Sequence, residues 1–255
     1  MPAASAAPRK MPPPQQEQQC PPPPPMSSSY SESDDMAAFY AAWAVREEEL
    51  AAALTSALPS RRRDVLAPLV AAALDHVAAY YDHKSRLADR DVVAALDPHW
   101  LNPLERTFLW AWGWKPALAF RFLNSNTNSN SNSAELEALR AATSAAEREV
   151  EREVAAVQES LAGPRVLAAL RRQMAPARRD GNPTAAAAHD EAVDAVGRAL
   201  RVLLGSADAL RQRTVRGVVA MLAPDQAAAF IAAMLTFHIS VRRAGRDWSS
   251  SAHHG

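Results

Sequence analysis

Cysteine is nearly absent from this sequence of 255 residues, since Cys20 is the only one. A single cysteine excludes a disulfide within the chain and is typical of a reducing compartment. No apolar run approaches the ~20 residues of a membrane-spanning helix, and the N-terminus lacks the apolar core of a signal peptide. The sequence therefore predicts a protein of the nucleus or cytoplasm without membrane association.

Glycine and net charge are scarce as well. Only 8 glycines interrupt a chain rich in Ala, Leu, Glu and Arg, and β-branched runs are few, which favours helix throughout. The 28 basic and 28 acidic residues cancel, so no overall field attracts nucleic acid or anionic membrane. Length and composition predict a single all-α, bundle-like domain of several helices.

Catalytic motifs are missing too. The sequence has no Gly-rich phosphate loop, no Gly-x-Ser-x-Gly elbow, no His-Glu-x-x-His motif and no cysteine pair. The acidic residues from Glu147 to Glu153 alternate with Arg148 and Arg152, which is the pattern of a solvated helix face. We therefore expect neither an enzyme nor a metal site.

The prolines divide the chain into a tail and a domain. Residues 1–34 hold ten of the 19 prolines and a Ser-rich acidic run, a composition that predicts a disordered tail sampling polyproline II. The domain is predicted over residues 35–244, and residues 245–255 are predicted to be a second disordered tail. The segments 124–133 and 175–183 are predicted flexible loops within the domain.

The spacing of apolar residues predicts the helices of the domain. A short turn is expected over residues 91–96, and a kink is expected near Gly205. The predicted long helices cover residues 35–58, 61–89, 134–161, 164–174, 184–222 and 224–243.

The densest stretch covers residues 97–123 and holds four of the six tryptophans. Each Trp can bury roughly 150 to 250 Å², so we expect the core to form around this stretch. Pro103 predicts the start of a short helix, Gly113 a bend, and Pro116 the start of a second helix ending near Leu123. We call the following residues of this stretch the keystone: Trp100, Glu105, Arg106, Trp110, Trp112, Trp114, Lys115 and Arg121.

Glu105 and Arg106 carry charge inside this aromatic stretch. A charge beside so much apolar surface must be paired or reach water. We expect the two residues to form a buried or half-buried ion pair that fixes the fold, and Arg121 to act similarly. Direct contact with a partner is the alternative.

The segment LNPLERTFLWAWGWKPALAFRFL resembles the central motif of the plant delay-of-germination domain. Four further segments of that domain follow the same order here: FYAAWAVREE, VAAYYDHKS, VQESLA and SADALRQRTVRGVVAML. The resemblance covers about residues 35–244. It implies an all-α regulatory domain like that of seed dormancy proteins and of TGA-type bZIP transcription factors.

The resemblance also implies a role for the first helix. The matching segment of dormancy-regulating relatives is implicated in docking type-2C protein phosphatases, which makes Phe39, Tyr40, Trp43 and Arg46 partner-binding candidates. Their helical spacing is equally that of a core face, so burial is the alternative.

Haem and calmodulin are two further ligands that the resemblance implies. Haem would need two histidines one helical turn apart near the end of the domain, but His238 is followed at the i+4 position by Arg242, so no cofactor is expected. A basic amphipathic tract predicts a calmodulin-binding face, with a solvated surface as the alternative. Its basic residues are Arg198, Arg201, Arg211, Arg213 and Arg216.

Two functions follow from these observations. The first is a non-enzymatic plant regulator that binds other proteins in abscisic acid or dormancy signalling, or in transcriptional control. The alternative is transcriptional regulation by sequence-specific DNA association, as in TGA-type relatives, either directly or through a bZIP partner. A basic-region helix needs a dense basic face, and the tail offers only Arg9 and Lys10, so autonomous DNA binding is not expected.

Overall fold

The computed structural model describes residues 27–123, 133–174 and 183–252. These residues form helices and no β-strand, which confirms the predicted all-α class. The α-helices are α1 (Ser27–Ala57), α2 (Arg63–Arg90), α3 (Val92–Leu96), α4 (Pro103–Thr107), α5 (Ser133–Leu161), α6 (Pro164–Met174), α7 (Pro183–Ala220) and α8 (Pro224–Ala252). Two 3₁₀ helices cover Leu58–Ser60 and Pro116–Phe122.

Two groups of helices pack around one main core. α1, α2 and α8 contact one another, and α4 lies against α8. α5 and α6 pack on α7, with the second 3₁₀ helix between α5 and α7. The fully buried apolar residues of the core come from both groups: Leu54, Leu66, Ala73, Ala119, Val218, Ala228, Ile231 and Leu235.

α8 is the most deeply placed of the long helices. By length and composition it is the one helix of the described ranges that would pass as a membrane span, over Pro224–Trp248. Half of that window is buried inside the protein, which is the pattern of a core helix.

The structure corrects both predicted tails. α1 begins at Ser27, so the Ser-rich end of the predicted disordered tail is helical, and residues 1–26 lie outside the described residues. α8 continues through Gly245 to Ala252, because Gly245 is buried against Asn102 rather than exposed. The loops predicted over residues 124–133 and 175–183 lie outside the described ranges except for their last residues, Ser133 and Pro183, which begin α5 and α7.

The structure refines three local predictions. The predicted turn over residues 91–96 is α3, and the Asp91 side chain caps it by accepting a hydrogen bond from the Ala94 N–H. α7 runs without interruption through Gly205, where a kink was predicted. The helix predicted after Pro116 forms, as a 3₁₀ helix over Pro116–Phe122.

The bend of the keystone stretch is a tight reverse turn. Trp110 and Gly113 exchange backbone hydrogen bonds, and the two residues between them have positive φ, 42° at Ala111 and 60° at Trp112. Left-handed backbone is unfavourable for residues with a Cβ and persists only where surrounding contacts hold it. The prediction of a bend at Gly113 therefore placed it one or two residues late.

Candidate functional site

A polar cluster around Arg242 joins α1, α4 and α8. Arg242 is buried on α8 and pairs with Glu47, a fully buried carboxylate on α1. Its Nε lies 3.2 Å from the Tyr40 hydroxyl and 3.5 Å from Oε1 of Glu105. Tyr40 donates to the same Glu105 oxygen at 2.5 Å. Because a buried charge is tolerated only when it is paired and hydrogen-bonded, this cluster fixes the three helices against one another.

The charges of the cluster persist at neutral pH. Burial acts to raise the pKa of Glu47, but His238 and Arg242 outweigh it and hold that pKa below its usual value. Burial acts to lower the pKa of Arg242, and the Glu47 carboxylate outweighs it and raises that pKa. Burial raises the pKa of the Tyr40 hydroxyl, which therefore stays a donor. Glu47 and Arg242 therefore form an ion pair at neutral pH.

His238 borders this cluster. Its Nδ1 lies 3.4 Å from Oε1 of Glu47, and its ring centroid is 6.1 Å from that of Trp114. One turn further along α8, the Arg242 side chain is committed to Glu47. His238 and Arg242 do not fit a haem held by two histidines. Arg242 stands where the second histidine would be, and its guanidinium has no lone pair to donate to iron.

A second polar cluster holds the keystone turn in place. Lys84 of α2 donates to the Trp112 carbonyl at 2.7 Å and pairs with Asp208 of α7 at 3.2 Å. Arg211, which is fully buried, pairs with Asp208 at 2.6 Å. Arg211 also donates to the carbonyl oxygens of Trp110, Ala111 and Trp114. Burial lowers the pKa of Lys84 to about 8.

Two keystone tryptophans bind tyrosines of α2. Trp100 donates from Nε1 to the Tyr80 hydroxyl at 3.3 Å, and Trp114 donates to the Tyr81 hydroxyl at 2.8 Å. An aromatic side chain buried in this way needs a partner for its polar atom. The paired tyrosines supply it, so the keystone stretch packs on α2 as well as on α7.

The acidic face of α5 is not wholly solvated. Glu147 is buried and accepts a hydrogen bond from the Ala117 backbone N–H at 2.6 Å. Glu151 accepts one from Trp110 Nε1 at 2.8 Å and pairs with Lys115 at 3.1 Å. The prediction of a uniformly solvated face was therefore wrong at Glu147, because the keystone stretch covers the middle of α5.

The predicted Glu105–Arg106 pair does not form. Glu105 completes a capping box with Asn102 at the start of α4 and pairs with Arg242. Arg106 points outward and pairs with Asp97 at 2.7 Å, with both side chains nearly half exposed. Of the predicted buried or half-buried charges, Glu105 is in a largely buried pair and Arg106 in a half-exposed one, each with another partner than predicted, and Arg121 is exposed.

The aromatic candidates of α1 face inward. Tyr40 is buried in the Arg242 cluster, and Phe39 stacks on His83 with ring centroids 4.0 Å apart. Trp43 stacks on His76 at 4.5 Å and donates from Nε1 to the His76 carbonyl at 2.9 Å. These side chains contribute to packing within the domain, and their role in partner binding stays a prediction.

The outward side of α1 borders a groove of about 630 Å³. Val45 stands out from this side with 62% of its surface exposed. Arg46, the remaining candidate of this helix, is exposed and paired with Glu49 at 2.7 Å. The groove is lined by α1 and by residues of the keystone stretch and α8, including Ala41, Ala44, Val45, Glu48, Trp100 and Arg246.

The predicted calmodulin face is divided by the fold. Arg211 points into the core, on the side of α7 opposite Arg198 and Arg216. Arg201 pairs with Asp89 of α2 at 3.1 Å, and Arg213 is exposed. Arg211 was therefore wrongly predicted as part of a calmodulin-binding face. It is buried because it binds carbonyl oxygens of the keystone turn, which is about one hundred positions away in the sequence.

Sequence reasoning missed Glu47, Lys84 and Asp208 as structural residues. Each occurs in a segment that carries the family resemblance, namely FYAAWAVREE, VAAYYDHKS and SADALRQRTVRGVVAML. A charged residue at an inward position of an apolar helical pattern was the available signal. No group of His, Cys, Asp and Glu side chains suited to a metal ion occurs among residues 27–123, 133–174 and 183–252.

Comparison with known proteins shows the family to which this chain belongs. Residues 46–125, which carry α2, α4 and the keystone stretch, match the family model described as DOG1, seed dormancy control. The chain is 30% identical over 179 residues to Protein RESPONSE TO ABA AND SALT 1 of Arabidopsis thaliana, covering 68% of this chain and 76% of that protein. It is 29% identical over 194 residues to Protein DOG1-like 4 of the same plant, covering 73% of this chain and 78% of the relative. The chain therefore belongs to the DOG1 seed-dormancy-control family, the delay-of-germination family that its keystone motif resembles.

Proposed function

We propose that this protein is a plant regulator that acts by binding other proteins in abscisic acid or dormancy signalling, in the nucleus or cytoplasm. Family membership supports the regulatory class, and the name of one relative refers to a response to abscisic acid and salt. The structural observation that carries the proposal is the outward side of α1.

α1 carries apolar residues on its outward side as well as on its buried side. Leu50 and Leu54 face the core, while Ala41 and Val45 face outward. An amphipathic surface helix normally presents polar residues to water. We propose that Val45 and Ala41, with charged residues beside them, form the apolar centre of a protein-binding surface.

Charged residues supply that edge. Glu48 lies on one side of the groove and pairs with Arg243 at 2.8 Å, and Arg246 lies beside it. Arg46 and Glu49 form an exposed pair along α1. We propose that a partner covers Val45 and that these charges set its orientation. Type-2C protein phosphatases are the first partners proposed, and bZIP factors and calmodulin are further ones.

Affinity capture tests the proposal. The tagged protein is incubated with plant extract treated with nuclease, and bound proteins are identified by mass spectrometry. We expect type-2C phosphatases or other signalling proteins to bind the natural chain and to be lost with Val45→Glu. Val93→Glu, at an equally exposed valine of α3, is the matched control and should retain them. Equal capture by all three proteins would contradict the proposed surface.

The same experiment addresses the role at promoters. Recovery of bZIP factors, or loss of partners after nuclease treatment, would favour transcriptional regulation. Direct contact with DNA would show as binding of the purified protein to duplex DNA with a steep dependence on salt, since phosphate contacts release counterions.

A further inference from the structure

An aromatic cavity of about 120 Å³ lies between α1, α2, α8 and the keystone stretch. Each of these elements contributes at least one ring to its wall. The rings include those of Trp43, Tyr80, Phe108, Trp114 and Phe237. None of the contacts described for the two polar clusters fills this space.

The volume of the cavity limits what it can hold. A cavity of about 150 Å³ lined by apolar side chains accommodates a benzene molecule. The present cavity is of similar size, so it suits a molecule of one ring and is far too small for a haem. Its aromatic walls favour a planar guest, because aromatic rings attract one another in offset or edge-to-face arrangements.

His238 gives the cavity one directional polar group. The carboxylate of Glu47, 3.4 Å from Nδ1, favours the tautomer in which Nδ1 carries the proton. Nε2 is then a hydrogen-bond acceptor. His238 belongs to the cavity wall and its Nδ1 lies toward Glu47, which is not part of the wall, so we infer that Nε2 is the ring nitrogen available to a molecule in the cavity.

The charges around the cavity select against an anion. Glu105 and Arg242 belong to the wall, and Glu47 lies behind it. These two carboxylates outnumber the single guanidinium, which pairs with Glu47 through Nη2 and with Glu105 through Nε and has one buried nitrogen, Nη1, without a hydrogen-bond partner. Bringing a further negative charge into this surrounding is costly, whereas a neutral group that donates a hydrogen bond is favoured.

We propose that this cavity binds a small neutral aromatic molecule, one ring in size, that donates an O–H or N–H hydrogen bond to Nε2 of His238. This ligand site lies on the other side of α1 from Val45 and does not depend on the proposed protein-binding function.

Calorimetric titration with phenol tests the site, with benzene and benzoate as comparison probes. We expect saturable binding of phenol, weaker binding of benzene and none of benzoate. Val241→Phe places a larger side chain in the wall and should abolish phenol binding, while Val202→Phe, at an exposed valine of α7, should retain it. His238→Phe should reduce the affinity for phenol by up to about tenfold, to that for benzene.

Three results would overturn the proposal. The first is the absence of saturable phenol binding to the natural protein. The second is unchanged binding to Val241→Phe, with folding of each variant checked by circular dichroism. The third is benzoate binding as tight as that of phenol, which needs no variant and would refute the neutral, hydrogen-bond-donating class of ligand.

Discussion

Glu47 and Glu48 are adjacent residues whose carboxylates have opposite surroundings. Glu47 is buried against Arg242, and Glu48 is partly exposed beside Arg243. Removing one partner of a buried ion pair costs roughly 3–5 kcal/mol, because the other charge stays buried and unpaired. We therefore expect Glu47→Ala to lower the free energy of unfolding by about that amount in urea titrations.

The control for this prediction is Glu48→Ala. An exposed ion pair contributes about 1 kcal/mol or less, so this variant should unfold close to the natural protein. Equal losses in the two variants would mean that the Arg242 cluster has no special role in stability.

The His76 side chain makes the stability of the domain decrease at acidic pH. Burial lowers the pKa of this ring from 6.5 to about 4, and Glu47 opposes the shift while Arg46 and Arg242 add to it. Its Nε2 is buried without a hydrogen-bond partner. As pH falls through this interval, the unfolded chain takes up a proton at His76 before the folded protein does, so stability falls.

His76→Phe should weaken that dependence. The variant keeps an aromatic ring for the stacking on Trp43 and removes the titrating group. We expect the loss of unfolding free energy between pH 7 and about pH 4.5 to be smaller in the variant than in the natural protein. Comparing the two slopes removes the contribution of other acid-titrating groups, and identical slopes would contradict the assignment to His76.

At the scale of helices, the sequence correctly predicted which segments are helical, but it misplaced some helix ends. Pro103, Pro164, Pro183 and Pro224 each occupy the first position of a helix, as expected for a residue without a backbone N–H. Proline and capping signals are local, so they can be read from the sequence. α8 extends past Gly245, which packs against Asn102, and no local signal reports a contact between residues so distant in the sequence.

Gly245 and Gly205 are helical glycines with different requirements. A methyl group at Gly245 would overlap the Asn102 amide, which caps α4 and donates to the Arg242 carbonyl at 3.1 Å. At Gly205 nothing lies within 4 Å of the added carbon. We expect Gly245→Ala to destabilise the domain by about 1–3 kcal/mol through overpacking.

Gly205→Ala, in contrast, should raise the free energy of unfolding. Alanine restricts the unfolded chain and favours helix, which stabilises by about 0.4–1 kcal/mol where the conformation permits. Thermal melting of both variants checks the pair, since 1 kcal/mol corresponds to roughly 2–4 °C in a chain of this size. A rise in melting temperature for Gly245→Ala would show that Asn102 can move aside.

At the scale of the whole molecule, the sequence did not predict which charges meet. Glu105 pairs with Arg242 rather than with its neighbour Arg106, and Arg211 binds the turn at Ala111. These contacts join residues about one hundred or more positions apart, and charge alone does not select a partner. The sequence did indicate that charge inside the aromatic stretch must be paired, and the structure supplies the partner.

Arg211 links the keystone turn to α7 and, through Asp208, to α2. Arg211→Leu would remove this donor from the carbonyl oxygens of Trp110, Ala111 and Trp114 and from the Asp208 carboxylate. The Trp110 carbonyl keeps its bond from the Gly113 N–H and Asp208 keeps Lys84, so the unsatisfied groups are the carbonyls of Ala111 and Trp114. Each buried polar group left unsatisfied costs about 1–3 kcal/mol, so we expect a loss of at least about 2 kcal/mol in urea titrations. Arg213→Leu changes an exposed arginine two positions away and should stay within about 0.5 kcal/mol. Similar losses from both variants would contradict the role of Arg211.

The pairing of Glu47 with Arg242 has a consequence for synthesis of the protein. The two residues are 195 positions apart, and at about 5–20 residues per second the ribosome adds the second roughly 10–40 s after the first. During this interval the nascent chain carries an unpaired carboxylate and aromatic rings that α8 has yet to cover. We expect the domain to complete its folding only after translation has reached the last helix.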